Sequence, residues 1–331
     1  MSFPIVACAL VLTALASSQF VDGCYTSIFG FGDSITDTGN YISLISKGLL
    51  PFDEIPNCSV PPYGETFFHH PTGRCSDGKL IIDFIAEHYG LPLPPPYMGG
   101  ENANREGGVN FAVIGATALS DDVLEAKWSY SRDNISMMAQ IDMFKTYLPS
   151  ICKTSSCHEI LNKSLIVFGS FGSNDYASTI LMKKVEDAYR LQPLVINAVG
   201  SAIEELIKLG VVNLMVPGML PTGCLGDCLA VYYGSNDEDY DPITGFNKET
   251  RLISCCGSGG PYNSDVDDTK CGYPFSHACD DPSSYIEWDG AHLTQAANEW
   301  IAKGLLSGLY TSPNITTSCV SSANGNGVYV Y

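Results

Sequence analysis

Two short segments, far apart in the chain, carry side chains whose types and spacing suit ester cleavage. Near the amino terminus, Phe29-Gly30-Phe31-Gly32-Asp33-Ser34 runs from apolar residues to a single hydroxyl, with small polar residues following up to Asn40. That is the make-up of a strand ending abruptly at Ser34, and in open α/β sheets ligands collect outside the carboxyl ends of the strands. A serine hydroxyl becomes a nucleophile when a base takes its proton. Near the other end, Asp289-Gly290-Ala291-His292 offers an imidazole with a carboxylate three residues before it. In a tight turn that carboxylate reaches the far ring nitrogen, fixes the tautomer and stabilises the imidazolium.

Acyl transfer also needs donors about 3 Å from the developing oxyanion. The Ser34 amide is one. Gly115, just after the apolar run Val109–Ile114, lets backbone approach a ligand closely. Asn174, in Gly169-Ser170-Phe171-Gly172-Ser173-Asn174-Asp175, offers a side-chain amide. Other assignments exist for these residue types. Ser34 could cap a helix. Asp33, Asp37 and Asp175 are carboxyls of the kind glycosidases pair, but their positions suit the support of local turns better. His69, His70, His88, His158 and His277 lack an aspartate at comparable spacing beside a sheet-edge loop.

The elements that must position these groups alternate. Strands are expected at Ser27–Gly32, Val109–Ile114, Leu165–Phe168 and Val211–Val216. Helices are expected at Lys79–Tyr89, Ile135–Leu148, Leu194–Leu209 and Thr294–Leu309. Such alternation predicts β-α-β units and a doubly wound, mostly parallel sheet.

Composition narrows the function. The 331 residues are 45% apolar, enough for a sizeable core, and carry 36 acidic against 17 basic side chains, a formal charge of −19. That surface repels nucleic acid, anionic membranes and anionic substrates, so a neutral or cationic ester is expected. Residues 1–23 read as a secretory signal, with an apolar run from Pro4 to Ala16, small residues after it and cleavage between 18 and 23. That run is too short to span a membrane. Of thirteen cysteines, twelve lie outside the signal, an even number that suits disulfides in an exported chain. Short loops Cys152/Cys157, Cys224/Cys228 and Cys271/Cys279 are candidate pairs, while adjacent Cys255 and Cys256 must bridge to different partners. Zinc at Cys224 and Cys228 is disfavoured because no His or second Cys pair completes a site. Asn57, Asn134, Asn162 and Asn314 open glycosylation sequons.

With these blocks in place, the chain resembles the plant GDSL-type esterase/lipases of the SGNH hydrolase superfamily, most of all the branch containing acetylajmalan and sinapine esterases. The resemblance runs from about residue 25 to 310. It is carried by Phe31-Gly32-Asp33-Ser34, Asn110-Phe111-Ala112, Asn174-Asp175 and Asp289/His292. Accessory stretches add to it: Pro62-Tyr63-Gly64, Pro71 to Gly78, Val216-Pro217-Gly218, Pro221-Thr222-Gly223-Cys224 and Cys255-Cys256-Gly257. It implies a three-layer α/β/α, flavodoxin-like fold in a single domain, residues 24–331. It also implies a Ser34, His292, Asp289 triad, an oxyanion hole from Ser34, Gly115 and Asn174, and no metal or cofactor. Two features depart from it. Ser173 stands where a glycine is usual. Between Tyr240 and Leu252 a helix and the last strand of the sheet are missing, so the chain reads as internally shortened.

The expectation is therefore a secreted or vacuolar carboxylic-ester hydrolase acting on a small-molecule ester through an acyl-enzyme. Two other readings stand beside it. One is a shortened homologue that binds without catalysis or does not fold stably. The other is an acyltransferase, in which an alcohol replaces water.

Overall fold

A computed structural model of the chain describes residues 24–50, 57–100, 103–128, 135–152, 157–232, 249–264, 269–315 and 329–330. The expected signal (1–23), Asn134 and most of the shortened stretch after Tyr240 lie outside the described residues. In chain order the regular elements are β1 (Ser27–Phe31), α1 (Asn40–Ser46), α2 (Ile81–His88), β2 (Gly108–Asn110), α3 (Asp121–Trp128), α4 (Met137–Ile151), α5 (Cys157–Asn162) and β3 (Ser164–Phe168). There follow α6 (Ser173–Leu181), α7 (Val185–Lys208), β4 (Asn213–Met215), α8 (Gly226–Val231), β5 (Cys256–Gly257), β6 (His277–Ala278), α9 (Gln295–Leu306) and β7 (Tyr329–Val330).

The main sheet has the order β2-β1-β3-β4-β7, and every pairing in it is parallel. Because side chains alternate along a strand, each strand feeds two cores. Phe29 and Phe31 of β1, Ile166 and Phe168 of β3 and Leu214 of β4 pack with α4 and α7. Ile28, Leu165, Val167 and Met215 face the other way, onto α2 and α9. Helices on both faces of a parallel sheet make the three-layer α/β/α architecture, and they explain why these strands read as unbroken apolar runs.

Several element boundaries differ from expectation for local reasons. Strand β2 ends at Asn110: Phe111 and Val113 still donate to the Gly30 and Gly32 carbonyls, but the Gly32 amide goes to Gln140 Oε1 at 3.0 Å instead of to the neighbouring strand. Helix α4 begins at Met137 rather than Ile135, since Ser136 is its N-cap and accepts from the Ala139 amide. Helix α7 starts nine residues before the expected Leu194 and carries Pro193 inside it. Its first turn holds Glu186 and Asp187, which suit the positive end of a helix dipole. The place beside β4, where a last strand was expected to be missing, is taken by Tyr329–Val330, paired with Asn213 and Leu214.

A third core is built on disulfides. Cys58–Cys75, Cys255–Cys279 and Cys256–Cys271 surround Tyr63 and Trp288, and Cys152–Cys157 closes a separate short loop. The expected Cys271/Cys279 pair is therefore wrong. Antiparallel pairing of β5 with β6 sets Cys256 against Ala278, so Cys255 falls opposite Cys279 and Cys271 is left for Cys256. Cys224 and Cys228 also depart from expectation. They carry separate thiols, the first in a 3-10 turn and the second on α8, with Leu225 extended between them (φ −74°, ψ 144°).

One buried ion pair ties the loop after Cys58 to α2. Arg74 donates through Nε and Nη2 to both oxygens of Asp83, each at 2.8 Å, and Asp83 also accepts the Leu80 amide at the start of α2.

Candidate active site

Ser34 follows β1 at the edge of the sheet where β2 and β3 also end. The strand end is clamped by a side chain from the opposite helix. Buried Gln140 of α4 accepts from the Gly32 amide (3.0 Å) and donates to the Gly32 carbonyl (2.8 Å), pairing with that backbone as a strand would. Asp33 then accepts the Ile35 amide (3.0 Å), and Thr36 donates to the Gly169 carbonyl (3.0 Å). Asp37 accepts amides from Gly39, Asn40, Tyr41 and Ile114, tying the Ser34 loop to the segment that bears Gly115. Asp33 and Asp37 thus support turns, and no glycosidase-type pair is needed to explain them.

Asn174 and Asp175 lie in the first turn of α6, which begins at Ser173, so a serine is accommodated there as a helix start. Asp175 accepts the amides of Ala118 (2.9 Å) and Leu119 (3.0 Å) and anchors α6 to the Gly115 segment. Asn174 Nδ2 donates to the Ala116 carbonyl (3.1 Å) and faces Asp33 Oδ2 at 3.5 Å.

His292 arrives on the loop before α9. Its Nδ1 lies 2.9 Å and 2.8 Å from the two oxygens of Asp289, and Asp289 Oδ1 also accepts the amides of Ala291 (3.1 Å) and His292 (2.9 Å). The loop is braced by neighbouring backbone: Cys255 donates to the Glu287 carbonyl, Cys256 to that of Trp288, and Trp288 to that of His292. Ser34, Asn174 and His292 line one cleft together with Ile35, Ala177, Ile180, Leu220, Leu225, Asp227 and Cys228. Gly115, at φ 80°, is one residue from the Ala116 carbonyl that holds Asn174 but is not among the cleft-lining residues. Of the sequon residues described, Asn314 is exposed, whereas Asn57 and Asn162 are half-buried.

The electrostatics suit a base backed by an anion. Burial alone disfavours the imidazolium, but the charge and hydrogen bond of Asp289, with Asp33 and Asp227 nearby, raise the His292 pKa above 6.5. Burial would raise Asp289, yet His292 and the hydroxyl of Tyr63 hold it below 3.8. The Cys228 thiol is pushed up to about 11, by burial first and then by Asp227 and Glu287, so it is not a thiolate nucleophile at neutral pH.

Three other buried carboxyls predict how stability varies with pH. Burial raises Asp33 to about 7, Asp37 to about 6 and Glu287 to about 8. The folded chain keeps protons that the unfolded chain releases above about pH 4, so stability falls as pH climbs from there through these folded values. His292, also raised, acts in the same direction above its unfolded pKa. Asp289, lowered, costs stability only as pH drops through its folded value. The thermal midpoint in scanning calorimetry is expected to be higher at pH 5 than at pH 8.5. A midpoint that rises over that interval would contradict the assignment.

Two contributors were not visible as such in the sequence. Gln140 sits on the apolar face of α4 with Met137, Ile141 and Phe144, and a polar residue at a core position was its only signal. Tyr63, in Pro62-Tyr63-Gly64, carried no chemical pattern, yet its hydroxyl reaches Asp289.

Comparison with known proteins places this arrangement. Residues 28–305 match the family model described as GDSL-like lipase/acylhydrolase. One GDSL esterase/lipase of Arabidopsis thaliana is 40% identical over 366 aligned positions, covering 94% of this chain and 91% of that protein. Another from the same plant is 42% identical, covering 91% and 90%. The sinapine esterase of Brassica napus is 39% identical, covering 94% and 92%. Since 94% of 331 residues is about 311, the 366-position alignment leaves about 55 positions of the first relative without a counterpart here.

Proposed function

Since the chain belongs to the GDSL-like lipase/acylhydrolase family, and its relatives make it a serine ester hydrolase, we propose that Ser34, His292 and Asp289 are its catalytic residues. The observation that supports this is that Ser34, Asn174 and His292 share one cleft, while the far nitrogen of His292 is held by Asp289. With Nδ1 occupied, Nε2 is the nitrogen that serves Ser34. Ser34 Oγ attacks the ester carbonyl as His292 takes its proton. The Ser34 and Gly115 amides and the Asn174 side chain stabilise the oxyanion. His292 then protonates the leaving alcohol, and water repeats the sequence to release the acid.

The substrate is a small-molecule ester. The cleft wall is mostly apolar and, among the described residues, has two acidic side chains, Asp33 and Asp227, but no Lys or Arg, which favours a neutral or cationic ester over an anionic one. Residues 1–23 are proposed to direct export, after which residues 24–331 act as a single domain. Four disulfides among the described residues suit an oxidising compartment, and Asn57, Asn134, Asn162 and Asn314 are proposed glycan sites. Among the described residues no helix is long and apolar enough to cross a membrane.

Removing one oxyanion donor tests the site. Asn174→Ala is expected to lower kcat on p-nitrophenyl butyrate by roughly a hundredfold or more, with little change in KM. A kcat within twofold of the unaltered chain would remove Asn174 from the oxyanion hole.

A further inference from the structure

Asp289 has four donors around it, and one comes from outside its own loop. Tyr63 Oη donates to Asp289 Oδ2 at 2.6 Å, across 226 residues of sequence. The phenol is 1% exposed, stands edge-on to Trp288 with ring centroids 5.8 Å apart, and lies in the disulfide-built core with Cys58, Cys75, Cys255, Cys256 and Cys271. Backbone bonds hold the segment on both sides, Tyr63 donating to the Val60 carbonyl and Gly64 to that of Ser76. Burial and the Asp289 charge keep the phenol protonated well above its ordinary pKa, so it is a donor throughout the working range. A rigid, shielded O–H therefore meets the carboxylate that is hydrogen-bonded to His292, whose ring also feels the charges of Asp33 and Asp227.

We infer that Tyr63 is a positioning residue for ester cleavage, delivered by the disulfide-built core to fix the Asp289 carboxylate against His292 and to set the basicity of that imidazole. This rests on the proposed roles of Ser34, His292 and Asp289. Two effects follow from the geometry. Held at Oδ2 by Tyr63 and at Oδ1 by two amides, the carboxylate cannot rotate away from Nδ1. The positive end of the O–H dipole also faces Asp289, so part of the negative potential felt by His292 is cancelled. Without the hydroxyl, the carboxylate is looser and the potential at His292 more negative, which raises the imidazole pKa.

The test replaces the hydroxyl in two opposite senses. Tyr63→Phe keeps the ring against Trp288 and removes the donor. 3-Fluorotyrosine at position 63 keeps the fold and makes the donor stronger. Rates are expressed per active site, titrated with a serine-directed phosphonate, so that misfolded protein does not count. For Tyr63→Phe, kcat is expected to fall on the order of tenfold with KM unchanged, and the acidic limb of kcat/KM to move to higher pH by about half a unit. The fluorotyrosine chain is expected to move that limb to lower pH. A purely structural phenol would change the number of titratable sites and leave kcat and both limbs in place, and that result would overturn the inference. Ser34→Ala in the same assay separates the two claims. Full activity there would reject the underlying site, and Tyr63 with it. An inactive Ser34→Ala beside unmoved Tyr63 profiles would reject Tyr63 alone.

Discussion

Ser34→Ala is expected to lower kcat for p-nitrophenyl ester hydrolysis by roughly ten thousandfold or more, while thermal unfolding stays where it was. The size of the loss reflects what the hydroxyl supplies. Without it there is no acyl-enzyme, and the remaining groups can only stabilise an oxyanion formed by water. The lack of a stability effect follows from the surroundings. The turn is held by Gln140 on Gly32, by Asp33 on the Ile35 amide and by Thr36 on the Gly169 carbonyl, and none of these uses Ser34 Oγ. A chain that keeps more than a tenth of its turnover after this change hydrolyses esters somewhere else.

The largest loss of stability is expected for Asp83→Ala. Arg74 and Asp83 are 7% and 0% exposed at the side chain, and among the described residues Asp83 is the anion that the guanidinium contacts, at two points. Its remaining partners are the Thr72 hydroxyl at 3.3 Å and the Thr38 carbonyl at 3.5 Å, with Phe68 beneath it. Removing the carboxylate strands a buried cation and also takes the acceptor from the Leu80 amide. Together these cost about 3–5 kcal/mol, a large part of the 5–15 kcal/mol typical of a folded domain. The double variant Arg74→Met/Asp83→Leu removes both charges and is expected to recover most of the loss, because desolvation of the pair is removed with it. Urea unfolding reads both changes. A loss under about 1 kcal/mol for Asp83→Ala would mean that water reaches Arg74, contrary to the burial seen.

What the sequence carried plainly was local. β1 and β3 are apolar runs bounded by polar residues, and α2, α4 and α9 have clear apolar spacing with serine, threonine or glycine at their ends, so their existence could be read directly. The three-layer arrangement followed from strands and helices alternating, since parallel strands need crossovers. Features set by pairing at a distance were not legible. Cys279 is eight residues from Cys271 but bonds Cys255, because the β5–β6 register decides its neighbour. The two-residue β7 is too short for any periodicity, and it lies behind a Gly-Asn-Gly stretch that reads as loop. α7 runs nine residues further toward the amino terminus than its apolar spacing from Leu194 suggests, and it passes through Pro193, a residue that ordinarily marks a helix start rather than an interior. In the site, Ser34, Asn174, Asp289 and His292 could be named from residue type and spacing. Tyr63 and Gln140 could not, since a hydroxyl or amide acting on a neighbour's orientation leaves no spacing of its own.

The central claim is that the hydroxyl of Ser34 is activated by His292 across one cleft. Covalent labelling with a fluorophosphonate, followed by mass mapping of the modified peptide at a series of pH values, tests it most directly. One label per chain is expected, on Ser34, at a rate that rises with pH through a single ionisation above 6.5, where His292 loses its proton. In His292→Ala the rate should fall at least a hundredfold and lose that ionisation. Labelling at another residue, or a Ser34 rate indifferent to both pH and His292, would contradict the account.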